Sequence, residues 1–513
     1  MRRWHRWAGV LIVLAAATGA GAQELGTLTF PTSGKAAAQP KFIEGVKDLH
    51  SFEFDEAAAA FQKAQQLDPD FAMAYWGEAM SHNHPLWAQL DLPAARKALE
   101  HLAPTHEERL AKAKTEKEKA YLTAVNQLFL SAGDKLARDN AYSEAMAQMY
   151  KQWPEDHEVA ILYSLSLLGT VRPADKGYRR QALAASIALK VFQENPNHPG
   201  AAHFIIHSFD DPDHAILALP AARAYARIAP AAPHAIHMPS HIFVQLGMWD
   251  DAATSNIIAY KAAVDLLARM HLPEGREDFH TLSWLEYANL MLGKFDEARK
   301  NVDLAKESAD RNPKKPNIAE QYHTMLARYM LETGKWEKIA LEDATDPPAR
   351  REPMPTMTGM GAPYSGQGTW VFIAGLSAAK LGDAAQAERA HAKLSAMRQS
   401  AETADPFGAK PFAVMEAEVA SAIQLARGQK AEAIRLAKKA ADIEVTMDAP
   451  TGPPQPIKPA LEFYGEVLLE AGKPAEAAAA FQQALLRTPN RAPSVQGLAR
   501  ATGKSGVATT AAR

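Results

Sequence analysis

Residues 458–491 read KPALEFYGEVLLEAGKPAEAAAAFQQALLRTPNR. Taken as one 34-residue unit, the stretch places Leu461, Tyr464 and Gly465 at offsets 4, 7 and 8 and Gly472 at offset 15. Ala477, Phe481, Ala484 and Pro489 then fall at offsets 20, 24, 27 and 32. This spacing predicts two antiparallel helices. The small residues let the helices approach closely, the leucine and aromatic side chains fill the space between them, and Pro489 stops the second helix.

The same frame recurs along the chain. Gly45, Phe54, Ala57, Phe61, Ala64 and Pro69 form a copy near the start. Gly247, Trp249, Ala252 and Ala259 form another, and Gly293, Phe295, Ala298 and Ala305 the next, followed by Gly334 and Trp336. Gly382 with Ala387 and Gly428 with Ala433 mark two more. Thirty-four residues separate Ala184 from Ala218, and Ala218 from Ala252. The frame is poorer between residues 100 and 180. These residues, at this spacing, resemble the tetratricopeptide repeat. The resemblance implies an all-α fold: a right-handed superhelical solenoid of antiparallel helix pairs, with loop insertions and a concave face lined by first helices. Helix-forming residues dominate, and no stretch sustains an apolar–polar alternation. The solenoid is expected over 38–502, after an N-terminal linker at 23–37. Loop insertions are expected near 346–368 and 448–459, and a flexible tail at 503–513.

The 513 residues are 47% apolar and 22% charged, which excludes a disordered chain, a collagen and a disulfide-stapled mini-protein. With 56 basic and 59 acidic side chains the formal charge is −3, too balanced for a nucleic-acid coat or a polybasic membrane binder. There is no cysteine, so thiolate zinc sites, iron–sulfur clusters and a cysteine nucleophile are excluded. Arg2, Arg3 and Arg6 form a basic region before an apolar run from Ala8 to Ala17, and Ala20-Gly21-Ala22 offers a small-residue cleavage site. This pattern predicts a signal peptide over 1–22 and a mature protein that is periplasmic or secreted, with no membrane insertion after cleavage.

Chemistry concentrates in the histidines. Six of the 18 lie between residues 201 and 241: His203, His207, His214, His234, His237 and His241. His203 and His237 are 34 residues apart, as are His207 and His241. Each pair is spaced i, i+4, so both imidazoles share one helix face. Neighbouring first helices pack about 8–10 Å apart, so the four rings can converge. With Asp211 one turn beyond His207, they form a candidate site for one transition-metal ion, zinc or copper. The resemblance implies that offsets 2, 5, 9, 12 and 13 line the groove. His234 and His280 (offset 2), His50 and His84 (offset 13) and Trp76 (offset 5) then become groove-binding candidates, together with Tyr287. Pro239 is tolerated only in a first helical turn, which predicts a helix starting near Ile236. Met354, Met357 and Met360 form a regularly spaced thioether run, suited to copper(I) or to plain packing.

Three readings stand on this pattern. The first is an exported scaffold holding a peptide or protein partner in a histidine-lined concave groove, with or without a metal. The second is a metal-dependent enzyme using His203, His207, His237 and His241, with Asp211 or Glu286 as base. The third is a periplasmic copper or zinc handling protein. Neither histidine pair carries the glutamate of a zinc protease, and no nucleophile elbow or phosphate loop is present. Ala74–Met80, Asn83–Trp87 and His237–Phe243 also resemble a group of exported bacterial tetratricopeptide-repeat proteins. That likeness implies an architecture and a shared groove, and no reaction.

Overall fold

The computed structural model describes residues 24–503 except 173, 174, 176, 272–274 and 342–365. The expected signal peptide, Met354, Met357 and Met360, and the tail from residue 504 lie outside the described residues. Helices follow one another in antiparallel pairs. Gln39–His50 packs on Phe54–Leu67, Glu116–Phe129 on Lys135–Gln152, and His157–Gly169 on Arg179–Glu194. The series continues to Ala460–Glu470 on Pro474–Arg487, with Ala492–Thr502 as the final cap. The chain is an all-α solenoid of helix pairs. No described helix is long and apolar enough to cross a membrane.

The repeat residues do the packing. Phe61 is fully buried, and a Cβ on Gly45 or Gly77 would stand 2.8 or 2.3 Å from its ring. Three helices therefore meet on one phenyl group. The same device recurs at the other end, where Gly465 and Gly497 flank Phe481 at 2.8 and 2.3 Å. Between paired helices, Gly247, Gly293, Gly382, Gly428 and Gly472 turn the chain with φ between 66° and 83°, a region costly for a side chain. Where the frame is poor, local caps take over: Thr105 with Glu108, and Thr115 with Glu118, form reciprocal capping boxes.

Several details differ from the sequence expectation. The segment expected as a linker is packed from its first described residues. Phe30 is buried among Phe42, Trp76 and Tyr121, with ring centroids 5.2–5.8 Å away, and Thr27 N–H donates to Asn197 O at 2.9 Å. Asn83–His84 and Gln89–Leu90 form a short antiparallel ribbon. After Gly334 caps Pro316–Thr333, residues 335–341 are not helical, so Trp336 opens no second helix there. Residues 366–368, assigned to a loop, already begin the helix Gly366–Leu381.

The solenoid also closes on itself. Trp249 Nε1 donates to Asn490 O at 2.9 Å. Arg491 is fully buried, bonding Glu462 at 2.9 Å, Tyr287 Oη at 3.3 Å, and Glu332. The C-terminal helices thus pack against the middle of the chain. At the other end, Gln39–His50 touches Pro199–Ser208. This closure and the packed N-terminal segment correct the expectation of an open groove at several positions. Trp76 is fully buried in the Phe30–Tyr121 aromatic cluster, Tyr287 lies under Arg491, and His50 is buried against Glu158.

Candidate metal centre

Closure brings the histidines together. Pro199–Ser208 carries His203 and His207 on one face. The next first helix is interrupted: Pro233–His237 ends, and Pro239–Gln245 begins, around Met238. Pro239 cannot donate to the ladder, so the break falls where it sits. The helix starts at Pro233 rather than near Ile236, which puts His234 and His237 one turn apart on its first piece. His280 stands in the first turn of Phe279–Met291, whose N-terminus Asp278 caps through Thr281 N–H at 3.0 Å.

These six rings divide into two sets of three. His203, His207 and His234 offer ligand nitrogens that all lie within 4.8 Å of one another, and so do His237, His241 and His280. The four histidines expected at one ion are therefore shared between two adjacent triads, each completed by a residue expected only as a groove contact. Ring centroids of His207 and His241 are 5.9 Å apart, and those of His234 and His237 are 6.1 Å apart.

Outer hydrogen bonds fix the rings. His203 Nδ1 faces His50 O at 2.7 Å, and only a donor can face a carbonyl. His237 Nδ1 faces Asn256 Oδ1 at 2.6 Å, while Asn256 Nδ2 donates to Ala252 O at 2.8 Å, which sets the amide orientation. His241 Nδ1 contacts Asp210 Oδ2 at 2.6 Å, and Gln245 Nε2 donates to Asp210 Oδ1 at 3.1 Å. The carbonyl and the amide oxygen assign the proton to Nδ1 in His203 and His237 and leave Nε2 of both as a lone pair aimed into the cluster. His237 Nε2 then meets His241 Nε2 at 3.1 Å, and His203 Nε2 meets His207 Nε2 at 3.0 Å. His234 Nε2 is buried with no hydrogen-bond partner among the described residues.

Burial, then repulsion from neighbouring imidazoles, holds His203, His207, His234, His237 and His241 well below the usual histidine range. Neutral imidazole is the form that binds a metal. Two imidazole nitrogens on one ion at about 2.0–2.1 Å stand about 2.9–3.4 Å apart at square to tetrahedral angles. The two Nε2–Nε2 contacts have that spacing. His203 Nε2 and His237 Nε2 each present a lone pair to a second imidazole at that distance, and each set of three nitrogens lies within 4.8 Å, a donor set that fits a transition metal. His280 is exposed, and His207 and His234 are half-buried, which leaves the cluster a route to solvent.

The remaining candidates lie elsewhere. Asp211 accepts from the Tyr178 hydroxyl and from His214 Nδ1 at 2.9 Å, so Asp210 is the carboxylate of the cluster. Glu286 pairs with Arg328 at 2.7 Å, and burial pushes its carboxyl up to about 8. His84 stacks on Phe54 at 3.8 Å. His50 and His198 both hydrogen-bond the fully buried Glu158, at 2.7 and 3.1 Å, and the His50 carbonyl in turn holds His203. Burial would raise the Glu158 carboxyl, but the two histidines outweigh it and hold it at about 2. Sequence spacing does not reveal Asp210, Asn256, Gln245 or Glu158 as supports, because none shares the 34-residue phase of the rings.

No family model and no curated protein matches the chain. Solved structures that resemble it include yeast Tom70, at 10% identity over 91% of this chain and 88% of that one, with a TM-score of 0.32. A Rap protein complexed with competence and sporulation factor matches at 12% identity over 80% and 100%, with a TM-score of 0.32. A monomeric mutant of IFIT1 with Gppp-AAAA matches at 13% identity over 88% and 86%, with a TM-score of 0.38. At these scores the likenesses carry no argument about what this chain binds.

Proposed function

We propose that this solenoid holds a transition metal, copper or zinc, at its histidine cluster, in a centre of the catalytic type. The observation that carries the reading is the pair of Nε2–Nε2 contacts at 3.0 and 3.1 Å, with the Nδ1 atoms of His203, His237 and His241 held by outer partners. Outer partners that fix ring and tautomer are the usual support of a histidine metal site. Three protein ligands leave a coordination position open, as catalytic centres do and closed structural sites do not. His203, His237 and His241 are at most 1% exposed, which tells against a carrier that hands its ion to a partner, and against a peptide lying directly on these rings. Solenoids of helix pairs are general scaffolds for protein partners. Export through a leader at 1–22 fits an all-histidine centre that uses no thiol.

The test is thermal unfolding of chelator-treated protein with and without added copper(II) or zinc. A ligand at 100 times its Kd adds about 2.7 kcal/mol to the folded state. The wild type is expected to gain Tm with one of the two ions, and a His207→Ala/His241→Ala variant to gain much less. An unchanged wild-type Tm with both ions would overturn the reading.

A further inference from the structure

The two triads follow one rule. In His203, His207 and His234, offsets 5 and 9 of one repeat are completed by offset 2 of the next. In His237, His241 and His280 the same three offsets are used one repeat further on. Each triad contains one close Nε2 pair, and each has its own aromatic wall. Phe52 lies 4.3, 5.7 and 5.6 Å from the His203, His207 and His234 rings. Trp284 lies 5.2, 4.2 and 5.5 Å from the His237, His241 and His280 rings. Phe52 holds φ at 58°, a conformation a phenylalanine adopts only under constraint from its surroundings. A single ion would use one triad and leave the other, built to the same rule, without an ion.

Resting on the metal-centre reading, we propose that the cluster holds two copper ions, one per triad, placed to bind one molecule of dioxygen between them. Imidazole suits copper. Neither triad includes a carboxylate, and Asp210 is hydrogen-bonded behind His241 rather than facing the ion. Two buried dications would bring four charges to six neutral ligands, whereas two copper(I) ions bring two, and burying charge is expensive. The aromatic walls suit a small uncharged ligand that enters past His280. Binding balances within the centre: each copper(I) gives one electron, dioxygen becomes a bridging two-electron-reduced dianion, and two copper(II) ions remain. No proton or outside reductant is needed.

The experiment loads the full chain with copper(I) without air, counts copper by native mass spectrometry, then admits oxygen and records electron paramagnetic resonance. Two coppers per chain are expected. After oxygen, the two copper(II) spins are expected to cancel through the bridge, and acid denaturation to restore the signal of both. His234→Gln and His280→Gln are each expected to reduce the count toward one. His280 is exposed, so its replacement leaves the fold intact, as circular dichroism checks. One copper per wild-type chain would overturn the pair and leave the metal centre standing. No copper, with zinc bound instead, would overturn copper chemistry alone, and no metal at all would overturn both readings. Two coppers with full spin intensity after oxygen would overturn the bridge.

Discussion

Asp210 hydrogen-bonds His241 Nδ1, whereas Asp211, one residue on, bonds Tyr178 and His214. The histidines owe their positions to repeat phase, but this choice between neighbours is made by the turn that ends Pro199–Ser208. Losing an outer partner of a metal-binding histidine lowers affinity by about 10–100-fold. Asp210→Asn is therefore expected to weaken copper retention in a chelator competition by that factor, with Asp211→Asn near wild type. Equal losses in the two variants would contradict the assignment. At this scale the sequence displayed the i, i+4 pairs and their 34-residue phase. It hid the division into two triads, because that depends on where His234 and His280 are carried by their helices.

Helix pairs were legible wherever small residues and aromatics share the repeat frame. Phe61 between Gly45 and Gly77, and Phe481 between Gly465 and Gly497, show why: each glycine is space that a ring fills. Phe61→Ala is expected to cost about 3–5 kcal/mol. Gly77→Leu, which forces a side chain into that ring, is expected to cost about 1–3 kcal/mol or more. Urea unfolding curves measure both, and a change under 0.5 kcal/mol in either, about the scatter of an ordinary surface substitution, would show that the ring is not packed as described. Features outside the frame were not legible. The break at Met238, the ribbon at 83–90 and the non-helical 335–341 depend on local proline and turn chemistry and on packing by distant helices.

At the scale of the whole molecule, part of the inner face of the solenoid is covered by the chain itself. Gly452 lies against the Trp284 ring, where a Cβ would come within 2.3 Å, and Gln245 Nε2 donates to Pro450 O at 2.8 Å. The proline-rich loop at 448–459 therefore backs the second triad, and Arg491 ties the C-terminal helices to Tyr287 and Glu332. A periodic reading of single repeats does not contain such contacts, which is why Tyr287 emerges buried under Arg491, Trp76 under Phe30 and Tyr121, and His50 against Glu158. Removing one partner of a buried ion pair costs about 3–5 kcal/mol, so Arg491→Met is expected to lower the urea midpoint markedly. Burial would raise the Glu462 carboxyl, but Arg491 and Lys458 outweigh it and hold it at about 2, below its ordinary 4.5. A depressed carboxylate stabilises fully above its unfolded pKa, and that stability is lost as pH falls through the folded one. The Tm of the wild type is thus expected to fall between pH 5 and about 2.5. Glu462→Gln, already less stable at pH 7, is expected to lose less over the same range, and parallel profiles would contradict the pairing.

The most direct measurement of the central claim is anomalous diffraction at the copper edge from crystals of the copper-loaded protein. The account predicts two peaks, one ringed by ring nitrogens of His203, His207 and His234 and the other by those of His237, His241 and His280. Peaks confined to histidines elsewhere, such as exposed His101, with none inside the six-ring cluster, would contradict it.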